Sequence, residues 1–180
     1  MANKTMDQFY TNFLEEIQIS VDADLSGWNI EDFFTSIMLE YLEEAGEAND
    51  YVMCPFRGYG LQLNAYSLSE DYEKLTIYVS IYANNDRPKA IGQSDIDAAI
   101  KRAIQLYQKA VNDLYTSFQK DNDTYEFAIS LHNHKNEIKT VRICALTNGL
   151  VKPIDFKNIH IGDAEVSFSI WDIDRLYRCV

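Results

Sequence analysis

Apolar residues recur along this chain first at helical spacing and then at strand spacing. Phe9, Phe13, Ile17 and Val21 fall on one helical face with Glu15 and Glu16 off it, which predicts a first helix over about 5–24. Leu25-Ser26-Gly27-Trp28 interrupts it. Asn29 is suited to N-cap a second helix, and Glu31 and Asp32 fit that helix's positive end. The second apolar stripe is broad (Ile30, Phe33, Phe34, Ile37, Met38, Tyr41, Leu42, Ala45), and Gly46 is a natural stop. Period-two patterning then predicts strands over 51–54, 61–66 and 75–82. In the second, Leu61, Leu63 and Ala65 alternate with Gln62, Asn64 and Tyr66, a half-buried pattern; 55–60 (Pro-Phe-Arg-Gly-Tyr-Gly) reads as the turn before it. The three strands are expected to form one antiparallel meander against the second helix.

Downstream, Ile96, Ile100, Ala103, Ile104, Tyr107, Val111, Leu114 and Phe118 sustain a helical stripe for about seven turns, with Ser94 and Asp97 resembling a capping box. A shorter helix is expected over about 123–135, a fourth strand over 138–146 and a fifth over 165–170. A last helix starts near Asp172. The fold class is therefore α/β (α+β), a mixed sheet of about four to five strands with helices packed on it. No repeat or linker divides the 180 residues, which read as one domain.

Composition narrows the function. A hydrophobic fraction of 47% fits a folded globule. No apolar run approaches the ~20 residues of a membrane helix, and the N-terminus lacks the pattern of a signal peptide. Cys54, Cys144 and Cys179 are odd in number and widely spaced, as suits a cytoplasmic protein. A net charge of −12 argues against broad nucleic-acid binding, although it leaves room for a local basic patch.

Candidate chemistry is sparse. Neither GxSxG nor HExxH occurs. His132 and His134, two residues apart, point about 200° apart on a helix and cannot share a metal there. His160 stands alone in a loop. Cys144 reads as a small core residue. Glu40, Glu43, Glu44 and Glu47 cluster on the side of the second helix opposite its apolar stripe. They read as a solvated face, with Glu44 nearest the stripe and so best placed to reach a metal.

The order helix, three strands, helix, strand over about 30–146 resembles the restriction-endonuclease-like (PD-(D/E)XK) core, αβββαβ. That resemblance implies an acidic residue on the second strand and an acid-x-Lys pair on the third, which together hold a divalent metal. Here the second-strand slot falls on Asn64 and the third-strand pair on Ser80 and Tyr82. Asn64 offers a metal only a neutral carbonyl.

Several motifs are also similar to those of the abortive-infection phage-resistance (AIPR) proteins of bacteria: Glu43-Glu44-Ala45-Gly46-Glu47, residues 58–66 (Gly-Tyr-Gly-Leu-Gln-Leu-Asn-Ala-Tyr), Leu146-Thr147-Asn148-Gly149, and residues 170–177 (Ile-Trp-Asp-Ile-Asp-Arg-Leu-Tyr). The resemblance implies an Asp-Gly pair where this chain has Asn64-Ala65 and an Asp at Ile81, so both departures remove carboxylates. It also implies a longer protein of which this is the N-terminal part, or a shortened relative.

These readings lead to a non-catalytic nuclease-like sensing or docking domain of anti-phage defence, without a cofactor. Its expected partner is another protein, the remaining chain, or a second copy docked through the aromatic segment 171–180. The alternative is a metal-dependent nuclease that needs Mg²⁺ and draws its ligands from Glu44 and Glu47 with Asp71 or Asp86. A third reading, resting only on net charge, is an acidic nucleic-acid mimic.

Overall fold

The computed structural model describes residues 4–180; the start of the stretch read for a targeting signal lies outside them. Helix α1 (Met6–Asp22) begins in a capping box. The Thr5 hydroxyl accepts from the Gln8 N–H, and the Gln8 side chain accepts from the Thr5 N–H. Helix α2 (Ile30–Glu44) begins the same way, with Asn29 and Asp32 as the reciprocal pair. Strands β1 (Val52–Gly58), β2 (Leu61–Leu68) and β3 (Lys74–Ile81) follow, then helix α3 (Gln93–Asn112), a 3₁₀ turn (Leu114–Ser117) and helix α4 (Asp123–Asn133). The chain closes with β4 (Thr140–Thr147), β5 (Ile159–Ile161), β6 (Ala164–Trp171) and α5 (Ile173–Cys179), where Asp172 caps the last helix as expected.

All six strands form one mixed sheet in the order β1-β2-β3-β4-β6-β5. The expected antiparallel meander β1–β3 is present, and β4 lies parallel beside β3 in register from Lys74↔Thr140 to Ile81↔Thr147. The short β5, antiparallel to β6, adds to the four to five strands expected. It also places His160 in a strand, not a loop.

Helices cover both faces. On one side α3 and α4 pack on Leu75, Ile77, Val79, Val141, Ile143 and Val166. On the other, α1, α2 and α5 pack on Ala65, Tyr78, Cys144, Leu146 and Trp171. This two-sided cover corrects the half-buried reading of β2, because Gln62 and Asn64 are only 1% and 2% exposed.

Local boundaries differ for physical reasons. β1 continues through Pro55, which sits in a register irregularity between Met53 and Phe56 on an edge strand, where a missing N–H is tolerated. The turn is thus only Tyr59-Gly60, with Gly58 paired to Leu61. Helix α3 starts at an uncapped Gly92, so the Ser94/Asp97 box does not form; Asp97 instead accepts from the Gln93 side chain. The helix ends at Asn112, and Phe118 reaches the core beyond the 3₁₀ turn, edge-on to Phe56.

The motifs near the end of the chain are structural latches. Thr147 Oγ1 donates to the Ile81 carbonyl, and the Asn148 side chain pairs with both the N–H and the C=O of Ala83. Gly149 permits close approach, since a Cβ there would lie 2.3 Å from Ile91 Cγ1 and 2.8 Å from the Lys89 carbonyl oxygen. Arg175 lies 3.7 Å over the Trp171 ring and donates to the Ile170 carbonyl, while the Tyr177 hydroxyl donates to the Lys4 carbonyl. Trp171, Ile173 and Leu176 are buried. Of the apolar segment 171–180 on which self-association is expected, these three side chains are packed inside the fold, while Val180 is 55% exposed.

Candidate functional site

β2 and β3 pair through their backbones only from Ala65↔Tyr78 to Leu68↔Leu75. Past that point two side chains replace the ladder. Asn64 Oδ1 accepts from the Ser80 N–H at 2.9 Å, and Gln62 Nε2 donates to the Ser80 carbonyl at 2.8 Å and to Asn64 Oδ1 at 2.9 Å. The cause lies in β2 itself. Leu61 and Leu63 pack on the α3 side, Ala65 on the α2 side and Tyr66 on the α3 side again, so the alternation switches at Asn64. Asn64 and Gln62 are thereby turned toward β3 in the split between the strands.

Both helical layers reach this split. From the first turn of α2, Glu31 Oε1 accepts from Asn64 Nδ2 at 3.0 Å, and its carboxylate lies 4.0 Å from the Arg57 guanidinium of β1. One turn further, Thr35 Oγ1 donates to the Glu31 carbonyl at 2.8 Å and shares a 2.6 Å hydrogen bond with the Ser80 hydroxyl. From α3, Arg102 Nε donates to Gln62 Oε1 at 2.9 Å. The result is a cavity of about 260 Å³ lined by Glu31, Arg57, Ser80, Tyr82, Asp95 and Arg102.

Its electrostatics are those of a balanced cluster. Burial lowers the Arg102 pKa, and the neighbouring Arg57 adds to this, while Glu31 and Asp95 oppose it. Burial pushes the Tyr82 phenol up, which keeps it protonated. Among the described residues no fully buried side-chain nitrogen or oxygen lacks a partner.

The donor set does not fit the divalent metal implied by a nuclease-like core. Such an ion prefers several carboxylate oxygens. Here the Asn64 oxygen already accepts two hydrogen bonds, Glu31 is engaged by Asn64, and two guanidiniums crowd the cavity. Among the described residues no three His, Cys, Asp or Glu side chains gather as a ligand group.

The structure brings Asn64, Ser80 and Tyr82 to this split and leaves the other candidates elsewhere. Glu44 ends α2 at the pole opposite Glu31, about 20 Å away at ~1.5 Å per residue, and Glu47 lies just beyond; both are exposed. Asp71 holds the β2–β3 turn, accepting from the Ser69 hydroxyl and the Glu73 N–H, which lower its pKa. Asp86 lines a separate hollow beside α1. His132 sits by the Val111 carbonyl, and His134 stacks on Tyr72 at 3.5 Å. Cys144 is buried, and burial pushes its thiol up to about 11.

Sequence reading missed Glu31, Arg57, Gln62, Asp95 and Arg102. In the sequence pattern Glu31 reads only as a charge suited to a helix start, and Gln62 as a position on the polar side of a half-buried strand. A signal did exist for Gln62, which precedes Asn64 by two on one strand and so shares its side. None marked Arg102 among the polar positions of α3.

The family model described as the abortive infection phage resistance protein N-terminal domain matches residues 34–178. No curated protein and no solved structure gives a match.

Proposed function

Because the chain belongs to the abortive infection phage resistance protein N-terminal domain family, we propose that it serves anti-phage defence as a non-catalytic, nuclease-like module that senses or docks a partner. The partner is another protein or further chain of the same protein, and the setting is the cytoplasm; no described helix is long and apolar enough to cross a membrane. The antiparallel β1–β3 meander with β4 parallel beside β3 is the arrangement expected of a restriction-endonuclease-like core, and supports that part of the reading.

One observation carries the non-catalytic part. At the slot where a metal-holding acid belongs, Asn64 is spent on structure: its oxygen binds the Ser80 N–H and the Gln62 amide, and its nitrogen binds Glu31. Hydrolysis of a phosphodiester by a metal site needs anionic ligands and a group that orients water. Glu31 and Asp95 are the carboxylates that line this cavity, beside two arginines.

Those two carboxylates also define the alternative, a metal-dependent nuclease with shifted ligands. The test incubates the protein with Mg²⁺ or Mn²⁺ and single-stranded DNA, duplex DNA and RNA, beside a Glu31→Gln variant. No cleavage by either protein is expected. Cleavage by the parent that is lost in the variant would establish the nuclease instead.

A further inference from the structure

A second hollow adjoins the strand split. It is an open groove of about 690 Å³ between the β1–β2 hairpin and the α3–α4 pair, lined by Tyr59, Gln105, Gln108, Lys109, His132 and Lys135 among others. Arg57 and Tyr59, two residues apart, join it to the smaller cavity on one side. On the other, Arg102, Gln105 and Lys109 recur at i, i+3 and i+7 on one face of α3 and span about 10 Å.

Charge here runs against the rest of the chain. Acidic residues outnumber basic ones 28 to 16 overall. The two adjoining hollows nevertheless carry Arg57, Arg102, Lys109 and Lys135 against Glu31, Asp95 and Asp113. Of these acids, Glu31 is held by Asn64 and lies 4.0 Å from Arg57, and Asp113 pairs with Lys109 at 3.5 Å; both cation contacts are exposed enough for an incoming phosphate to compete with them.

Tyr59 is the second, independent observation. It is 94% exposed and adopts φ 55° at the hairpin tip. With Gly60 at φ 75° it forms a two-residue turn that favours Asn-Gly, not a bulky aromatic. The ring therefore stands out at a backbone cost, at the mouth of a cationic, amide-lined groove.

We propose that this groove binds a single-stranded nucleic acid, with Arg57, Arg102, Lys109 and Lys135 following its phosphates and the Tyr59 ring stacking on an unpaired base. Net charge opposes such binding only at long range, because a Debye length of about 8 Å leaves contact pairs in charge at physiological salt. The proposal goes beyond the reading of the strand split as inactive and holds whether or not that split cleaves.

The test is fluorescence anisotropy in EDTA with labelled oligo-dT and oligo-rU of about ten nucleotides, titrated at several salt concentrations. Binding should weaken as salt rises. Lys109→Ala and Lys135→Ala should each reduce the slope of log affinity against log salt by about 0.7. Tyr59→Asn should weaken binding about tenfold while raising the melting temperature, a combination that structural damage cannot produce. Lys139→Ala, paired with Glu73 outside the groove, should change neither. A tighter grip on either oligomer assigns the sugar preferred. The proposal is overturned by absence of binding at low salt, by equal binding of a duplex, or by affinity that survives all three groove substitutions. A loss of the same size in the Lys139→Ala control would overturn it too.

Discussion

Asn64 shows how one residue can tie two strands and a helix together. Its amide satisfies donors and an acceptor at once: Oδ1 takes the Ser80 N–H and the Gln62 amide, and Nδ2 gives to Glu31. Asn64→Asp keeps the two acceptor roles and loses the donor, so two carboxylates would face each other at the former 3.0 Å contact. We expect a loss of about 2–3 kcal/mol at neutral pH. The new carboxyl would have its folded-state pKa raised above its unfolded value by Glu31. The penalty is then full above that raised pKa and fades as pH falls toward the unfolded one. Urea midpoints of parent and variant at pH 7.5 and pH 5 check this: the gap should narrow in acid, and a constant gap would refute the paired-carboxylate account. At this scale the sequence was half legible. Asn64, Ser80 and Tyr82 follow from the resemblance to a restriction-endonuclease-like core, strand spacing adding only that Ser80 and Tyr82 share a face. Glu31, Arg57 and Arg102 do not, because their meeting depends on how α2 and α3 cross the two faces of the sheet, and no local pattern encodes that.

At the scale of elements, the β1–β2 hairpin sets stability against exposure. A two-residue turn with both φ values positive fits the right-handed twist of its strands, but a tyrosine in that conformation costs about 1–2 kcal/mol. Tyr59→Asn should therefore raise the melting temperature by about 2–4 °C, as expected for ~1 kcal/mol in a chain of this size. A fall on thermal unfolding would mean that Tyr59 makes contacts which hold the hairpin. Helix stripes were well legible, since each of α1 and α2 has one apolar face and a polar N-cap at its start. Strand limits were less so. Pro55 looked like a turn residue and is a strand residue, because an edge strand with a bulge does not need its N–H. Gln62 and Asn64 looked solvent-facing for a related reason. Alternation marks a solvated face only when one side of the sheet is open, and α1, α2 and α5 close it.

Considered whole, the molecule is a six-stranded sheet with a helical layer on each face, and acidic groups with elevated pKa values are buried in both layers. Burial pushes Cys54, on the α3 side, up to about 11, and pushes Cys144 and Tyr78, on the α2 side, up to about 11 and about 12. It also raises Tyr10, Tyr66 and Tyr107. In each case the folded state favours the neutral form more than the unfolded chain does. That contribution is complete below the unfolded value, 9.0 for a thiol, and is lost as pH climbs through the folded one. For Cys144 alone a rise from 9.0 to about 11 corresponds to about 3 kcal/mol. Stability should thus hold level up to about pH 9 and then drop steeply by pH 11. Because the same sheet carries both layers, the drop should appear as a lower midpoint of one cooperative urea transition, not as separate loss of one face. The measurement is the urea midpoint followed by tryptophan fluorescence and by far-ultraviolet circular dichroism across that range. Trp28, packed on Phe33, and Trp171 both report the α2 side, whereas dichroism reports the whole sheet and its helices, so the two curves should coincide at every pH. A midpoint unchanged at pH 11 would mean that these thiols and phenols ionise without cost, which their burial forbids.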